Sequence, residues 1–264
     1  MAPIIQSIRY SQSINHLSSH FHDCHQLLYI EEGQIRITIG EEHYTAVSGD
    51  LIIISRFEGH SIQIESSVYK RYTLRIRPDI SATENRLLSI LINRPTKFRH
   101  VLNLYGSQEV SFLLKQLMNE WNTQQDFRDL QLDYLLYSLL VCLFRLHPEI
   151  KQYQSDILLQ IQAVQHYLEE NYHNPCSLHE LSSKFHLSSS YLSHQFKDIT
   201  GHSVMGYLTA CRIAAAKRML VQTDTDISKI VADCGFSDSS NFSRKFRALT
   251  GLTPTQFRAE NKNS

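Results

Sequence analysis

Net charge is missing from this sequence: 26 Lys and Arg stand against 26 Asp and Glu. A general attraction to polyanions is therefore excluded, and any contact with nucleic acid must rest on locally placed cations. Paired cysteines are missing too. The five present, Cys24, Cys142, Cys176, Cys211 and Cys234, are odd in number, far apart and form no CxxC. That argues against a disulfide framework or a zinc finger and fits a reducing compartment. The N-terminus shows no basic segment followed by an apolar run, so no signal peptide is expected. The most apolar stretch, residues 132–144, contains Asp133 and is too short to cross a bilayer. These absences predict a cytoplasmic protein. Outside a few histidines the sequence shows no nucleophile beside a base and no paired carboxylates, so an enzyme is not expected and no cofactor is implied.

What is present is enough apolar content, 42% of 264 residues, to build two domains with real cores. The first ~80 residues alternate apolar and polar positions over short runs broken by Gly, the pattern of strands. Residues 26–30 and 34–39 flank Glu31-Glu32-Gly33 and predict a hairpin. Residues 43–47, the β-branched run 51–54, and residues 61–65 and 69–77 continue the series. Short strands so close together predict a sandwich or barrel. After Pro78 the period becomes helical, over residues 85–91, 109–121 and 130–145. The last of these is apolar nearly all round and must be covered on more than one side. It is either a core helix packed on the sheet or one that also pairs with a second subunit. Residues 149–156 read as a linker, and residues 157–264 read as short helices only. The predicted division is a β domain over 1–80, a helical packing or dimerisation segment over 81–148, the linker, and an all-α domain.

The all-α part repeats itself. Residues 190–207 align with 240–257 at an offset of 50. Ser190 matches Ser240, Ser193 matches Ser243, Phe196 matches Phe246, and Thr200-Gly201 matches Thr250-Gly251. Each copy has the parts of a helix-turn-helix. In the first, Ser177 and Glu180 form a capping box, Phe185-His186-Leu187 turns the chain, and Ser188 caps a second helix that buries Leu192 and Phe196. In the second, Asp226 precedes Ile227, Gly235 supplies the turn, and Ser237 caps a helix that buries Phe242 and Phe246. Such a second helix can lie in the major groove of DNA, its N-terminal residues near base edges. Its exposed positions include Ser190, Ser193, His194 and Lys197 in one copy, and Ser240, Asn241, Arg244 and Arg247 in the other. Ser, Asn, His and Arg suit bases; Lys and Arg near helix ends suit phosphates.

With these features, residues 227–258, including Gly235-Phe236, Phe242, Phe246, Thr250-Gly251, Pro254 and Phe257-Arg258, resemble the signature of the AraC/XylS family of bacterial transcription regulators. The resemblance runs from about Ile161 to Arg258. It implies base reading by Ser190, Ser193 and His194, and by Ser240, Asn241 and Arg244. It places Arg212 at the position of a linking-helix arginine, read here as a structural salt bridge. The bidentate fork of Arg244 suits a guanine edge.

The N-terminal part resembles the cupin-like sensor of the same family through His20-Phe21-His22, Gly33, Ser48-Gly49-Asp50 and His60. A metal-binding cupin would place Glu four residues after the second His; here that position is Gln26. His20, His22 and His60 remain candidate metal ligands, with Cys24 beside them as a further ligand or a thiol switch. The alternative is a pocket for a small effector, such as a sugar, lined by His22, Gln26 and His60, with Tyr72 and Arg75 as further candidates. The implied partners are double-stranded promoter DNA, the effector, a second copy of the chain through residues 130–145, and RNA polymerase. Two other readings compete: a metal-binding cupin enzyme or metal/redox sensor fused to a DNA-binding module, and a constitutive DNA-binding protein whose barrel only dimerises.

Overall fold

The computed structural model describes residues 3–12, 16–78, 86–92, 100–123, 125–153 and 156–261. The chain divides into two compact units, Met1–Ser155 and Asp156–Ser264.

The first unit is built on strands β1 (Ile5–Gln12), β2 (Leu17–His20), β3 (His25–Glu32), β4 (Gln34–Ile39), β5 (Glu42–Val47), β6 (Asp50–Ile54), β7 (His60–Ile64), β8 (Lys70–Ile76) and β9 (Val101–Asn103). They form two antiparallel sheets, β1-β8-β3-β6-β9 and β2-β7-β4-β5; the alternation predicted a sandwich or barrel, and the family resemblance a cupin-like one. The expected hairpin is not one. β3 pairs with β6 and β8, and β4 with β5 and β7, so Glu32 and Gln34 belong to different sheets. Gly33 turns this corner at φ +107°, and a Cβ there would collide with the carbonyl oxygen of Val68. A side chain would block the corner sterically and conformationally at once.

Period-two alternation gives the first sheet two interiors. Leu27, Tyr29, Leu51, Ile53, Tyr72, Leu74 and Ile76 point outward into an apolar cluster shared with helices α1 (Arg86–Ile92), α2 (Gln108–Asn122) and α3 (Arg128–Leu146). Leu28, Ile30, Ile52 and Ile54 point inward, against Ile35, Ile37, Ile39, Ile62 and Ile64 of the other sheet. The segment expected to be helical therefore packs on the barrel and also supplies its edge strand, β9, which pairs with β6. Asn85, at the start of the first predicted helix, lies outside the described residues. Much of the predicted linker belongs to the first unit: Pro148–Tyr153 forms a 3-10 turn with Ile150 fully buried. Pro148 and Glu149 stand on the exposed side of this turn, while Ile150 anchors it to the core. α3 settles the two-sidedness of residues 130–145. Leu132, Leu136, Leu139, Leu140 and Leu143 are buried, whereas Leu130, Tyr134, Tyr137 and Val141 form an exposed stripe.

The second unit contains α4 (Asp156–Glu170), α5 (Leu178–Lys184), α6 (Ser189–Thr200), α7 (Val204–Gln222), α8 (Ile227–Asp233), α9 (Ser239–Thr250) and α10 (Pro254–Asn261). Phe236, Phe242, Phe246 and Phe257 pack in series beneath α7, the outer two pairs edge to face and the middle pair tilted, with centroids 5.1–5.5 Å apart. Among the described residues no helix is long and apolar enough to cross a membrane.

Candidate DNA-reading helices and sensor cavity

Both helix-turn-helix units form. In the first, Ser177 Oγ accepts from the Glu180 amide, and Glu180 accepts from the Ser177 amide at 2.8 Å, closing the capping box on α5. The Ser177 hydroxyl, which also donates to this carboxylate, and the Ser177 amide hold the Glu180 carboxyl below its usual range. His186 makes the turn at φ +54°, and Ser188 caps α6 by accepting from the Tyr191 amide. In the second unit the cap is Asp238 rather than Ser237, accepting from the amides of Ser240 and Asn241 at 3.1 and 2.7 Å. The reason is one extra residue in the turn. His186 precedes its cap by two positions, whereas Gly235 precedes Asp238 by three. The repeat offset is therefore 49 for the first helices and 50 for the second.

Fixed by these caps and by buried Leu192, Phe196, Phe242 and Phe246, the two second helices turn their predicted readers away from the core. Ser190, His194 and Lys197 are exposed and Ser193 half-buried on α6; Ser240, Arg244 and Arg247 are exposed and Asn241 half-buried on α9. His194 pairs with Asp198 at 3.3 Å, which places an acid among the candidate readers of α6. On α9, Arg244 donates to Asn241 Oδ1 at 3.3 Å, tying the two predicted base readers to each other. Arg212 is structural, but among the described residues it makes no salt bridge. It donates to the carbonyl oxygens of Tyr172 and Asn174 at 2.7 and 2.9 Å, clamping the turn after α4 onto α7. The missing signal was that its partners are main-chain atoms, which carry no side-chain signature.

In the first unit, a cavity of about 270 Å³ opens between the sheets beside the apolar lumen. Its lining includes His20, His22, Gln26 and His60, as the sequence suggested, and Arg75. Tyr72 is elsewhere. Strand parity turns it to the outer face, among Tyr10 and Tyr29, and presents its neighbours Arg71 and Thr73 to the cavity instead. Arg9 was missed because β1 reads as polar, its lumen side carrying Ser7, Arg9 and Ser11, and Arg71 because choosing Tyr72 on β8 set aside its inward-facing neighbours.

The pairing of His20 with His60 across β2 and β7 brings His20, His22 and His60 together, with potential ligand atoms within 4.8 Å of one another. Cys24 is buried and is not part of this group. Burial pushes the His60 imidazole down to about 4, so it is neutral near pH 7. His60 Nδ1 lies 3.0 Å from the Glu58 carbonyl oxygen, which makes Nδ1 the donor and leaves the lone pair on Nε2. Three imidazoles fit a metal in number, but the place of a cupin's carboxylate is taken by Gln26, and the same cavity is lined by arginines that oppose a dication.

Residues 6–140 match the AraC-like ligand binding domain, and residues 181–260 match a helix-turn-helix domain. The chain belongs to the AraC family. It is a DNA-binding transcription regulator with a ligand-binding domain. Its AraC-family relatives include the transcriptional activator RhaS of Mannheimia succiniciproducens, 24% identical over 97% of this chain and 94% of that protein. Another is the uncharacterized HTH-type regulator YdiP of Escherichia coli strain K12, 26% identical over 92% and 82%. ToxT of Vibrio cholerae shares the fold, with a TM-score of 0.65 at 12% identity over 96% and 97% of the two chains.

Proposed function

We propose that this AraC-family chain is a cytoplasmic regulator that reads promoter DNA through α6 and α9 and takes a small-molecule effector in the barrel lumen. The observation that supports it most directly is the pair of capped helices whose N-terminal residues are exposed while their aromatic stripes are buried. In this reading Asn241 and Arg244 read bases from α9, Ser190, Ser193 and His194 make fewer or water-mediated contacts from α6, and Lys197 and Arg247 meet phosphates. The test is a mobility shift on the DNA upstream of the chain's own and adjacent genes. Asn241→Ala with Arg244→Ala is expected to abolish the sequence-specific complex; an unchanged shift would remove those residues from the reading role.

The chain acts as a homodimer through α3 in this proposal. Leu130, Tyr134, Tyr137 and Val141 are 53, 61, 37 and 37% exposed and, with Phe127 at 81%, recur at the three- and four-residue spacing of a two-helix seam. A second copy of the same stripe covers it symmetrically. Sedimentation of Leu130→Glu/Tyr134→Glu is expected to give a monomer; a dimer would place the interface elsewhere.

The grouping of His20, His22 and His60 favours one second reading, a metal-binding sensor or cupin enzyme. Metal analysis of the purified chain decides it, and less than a small fraction of an equivalent ends it.

A further inference from the structure

The cavity lining has a one-sided chemistry. Arg9, Arg71 and Arg75 face it from β1 and β8, and among the described residues no carboxylate lines it. Among the same residues no acid is paired with any of the three: the ion pairs of the barrel involve Arg36, Arg56, Lys70 and His100. Arg71 stacks over the buried ring of Tyr69 at 5.1 Å, and its Nε and Nη1 are buried without a hydrogen-bond partner. An unsatisfied buried guanidinium is costly and points to a missing acceptor. Guanidinium groups only donate, and their fork matches carboxylate and phosphate oxygens. The register sets the reach: Arg71 and Arg75 lie four residues apart on one face of β8, about 13 Å, with Thr73 between them. Ser7 and Gln26 flank Arg75 across β1 and β3. A neutral polyol would leave the arginines without counter-charge, and a dication would meet their repulsion.

From this geometry we infer that the effector is a small hydroxylated acid, its carboxylate or phosphate held by Arg71 and Arg75 and a hydroxyl directed to Nε2 of His60. Arg9, exposed at the rim, draws the anion in. The inference rests on the lumen being the effector site, and it narrows the sugar of the family resemblance to an acidic compound.

The test is thermal unfolding of the full chain in chelator with matched probes: galacturonate against galactose, glucose 6-phosphate against glucose, and 2-hydroxybenzoate against 2-hydroxybenzamide. At least one acid is expected to raise Tm by roughly 5–10 °C at a hundred times its Kd, its neutral partner having no effect. Arg71→Gln with Arg75→Gln is expected to remove the shift while far-UV circular dichroism stays that of the parent. Should the double variant fail to fold, each single variant is expected to weaken binding at least ~10-fold. A shift that survives these substitutions, or equal stabilisation by acid and neutral partner, overturns the inference. Stabilisation by neutral probes alone discards the anion and keeps the lumen as effector site, and no response to any probe counts against both. A shift that appears only when Zn²⁺ replaces chelator places the anion on a metal and overturns direct capture by arginine.

Discussion

The two helix-turn-helix units share a buried skeleton and a run of serines, and differ in the charge they carry outside it. Leu192 and Phe242, Phe196 and Phe246, and the Thr-Gly ends of α6 and α9 occupy matching places. Outside, α6 carries Lys197 against Asp198, while α9 carries Arg244, Lys245 and Arg247 with no acid. The first turn is a strained His186, the second a Gly235 held against the turn after α4. Duplication preserved what packs, and the surfaces diverged towards one cationic helix and one with balanced charge.

The turns break this comparison most sharply. A Cβ on Gly235 would lie 2.7 Å from the His173 carbonyl oxygen, at φ +77°. Gly235→Ala is expected to cost about 2–4 kcal/mol in urea unfolding. His186→Gly is expected to change stability by less than ~1 kcal/mol, because relief of left-handed strain is offset by a freer unfolded chain. An unchanged midpoint for Gly235→Ala would mean that the turn yields.

On DNA, Arg244→Ala is expected to weaken binding ~10–100-fold, and Ser190→Ala with Ser193→Ala less than about threefold, in mobility shifts at fixed salt. The reverse order would make α6 the anchoring reader. A smaller effect separates the phosphate contacts. Arg247→Ala is expected to flatten the slope of log affinity against log salt by about 1, and Lys197→Ala, beside Asp198, by less.

The smallest effect lies in the caps. Glu180 is held ionised by Ser177, so its support for α5 is present above the ordinary carboxylate range and fades as pH falls below about 4.5. Asp226 makes no side-chain cap bond to α8. Amide exchange is therefore expected to loosen α5 over that range in the parent, with the pH dependence lost in Ser177→Ala. Equal acid sensitivity in α5 and α8 would remove the distinction.

The sequence made some of this legible and hid the rest for physical reasons. The helices and their buried stripes could be read because a 3.6-residue period needs no partner to show itself. Strand existence was visible wherever β-branched runs occurred, yet β1 was hidden by its Ser and Arg lumen side. The false hairpin at Gly33 followed from adjacency, since two neighbouring strands look the same whether they pair or part. Tyr72 was misplaced because parity is relative: only pairing with β1 and β3 shows that Arg71, Thr73 and Arg75 are the inward set. Ser237 looked like a cap because the offset of 49 that relates the first helices carries Ser188 onto it, whereas one extra residue in the turn makes the offset 50 by the second helix and carries Ser188 onto Asp238. His20, His22 and His60 were singled out by residue type, but their proximity depends on β2 lying beside β7.

One feature of the second unit bears on promoters rather than on the protein. α7 runs 19 residues, about 28 Å, between the two reading units. It is buried along most of its length, clamped by Arg212 to the carbonyls of Tyr172 and Asn174 near its middle and by Arg258 to the carbonyl of Thr225 beyond its end. A strut so held cannot lengthen or swivel at modest cost. With both units reading DNA as proposed, the phase between the two sub-sites of an operator is therefore dictated by the chain. Each base pair inserted between them rotates one sub-site by about 35° away from its reader, so the interval should be as fixed a part of the operator as its bases.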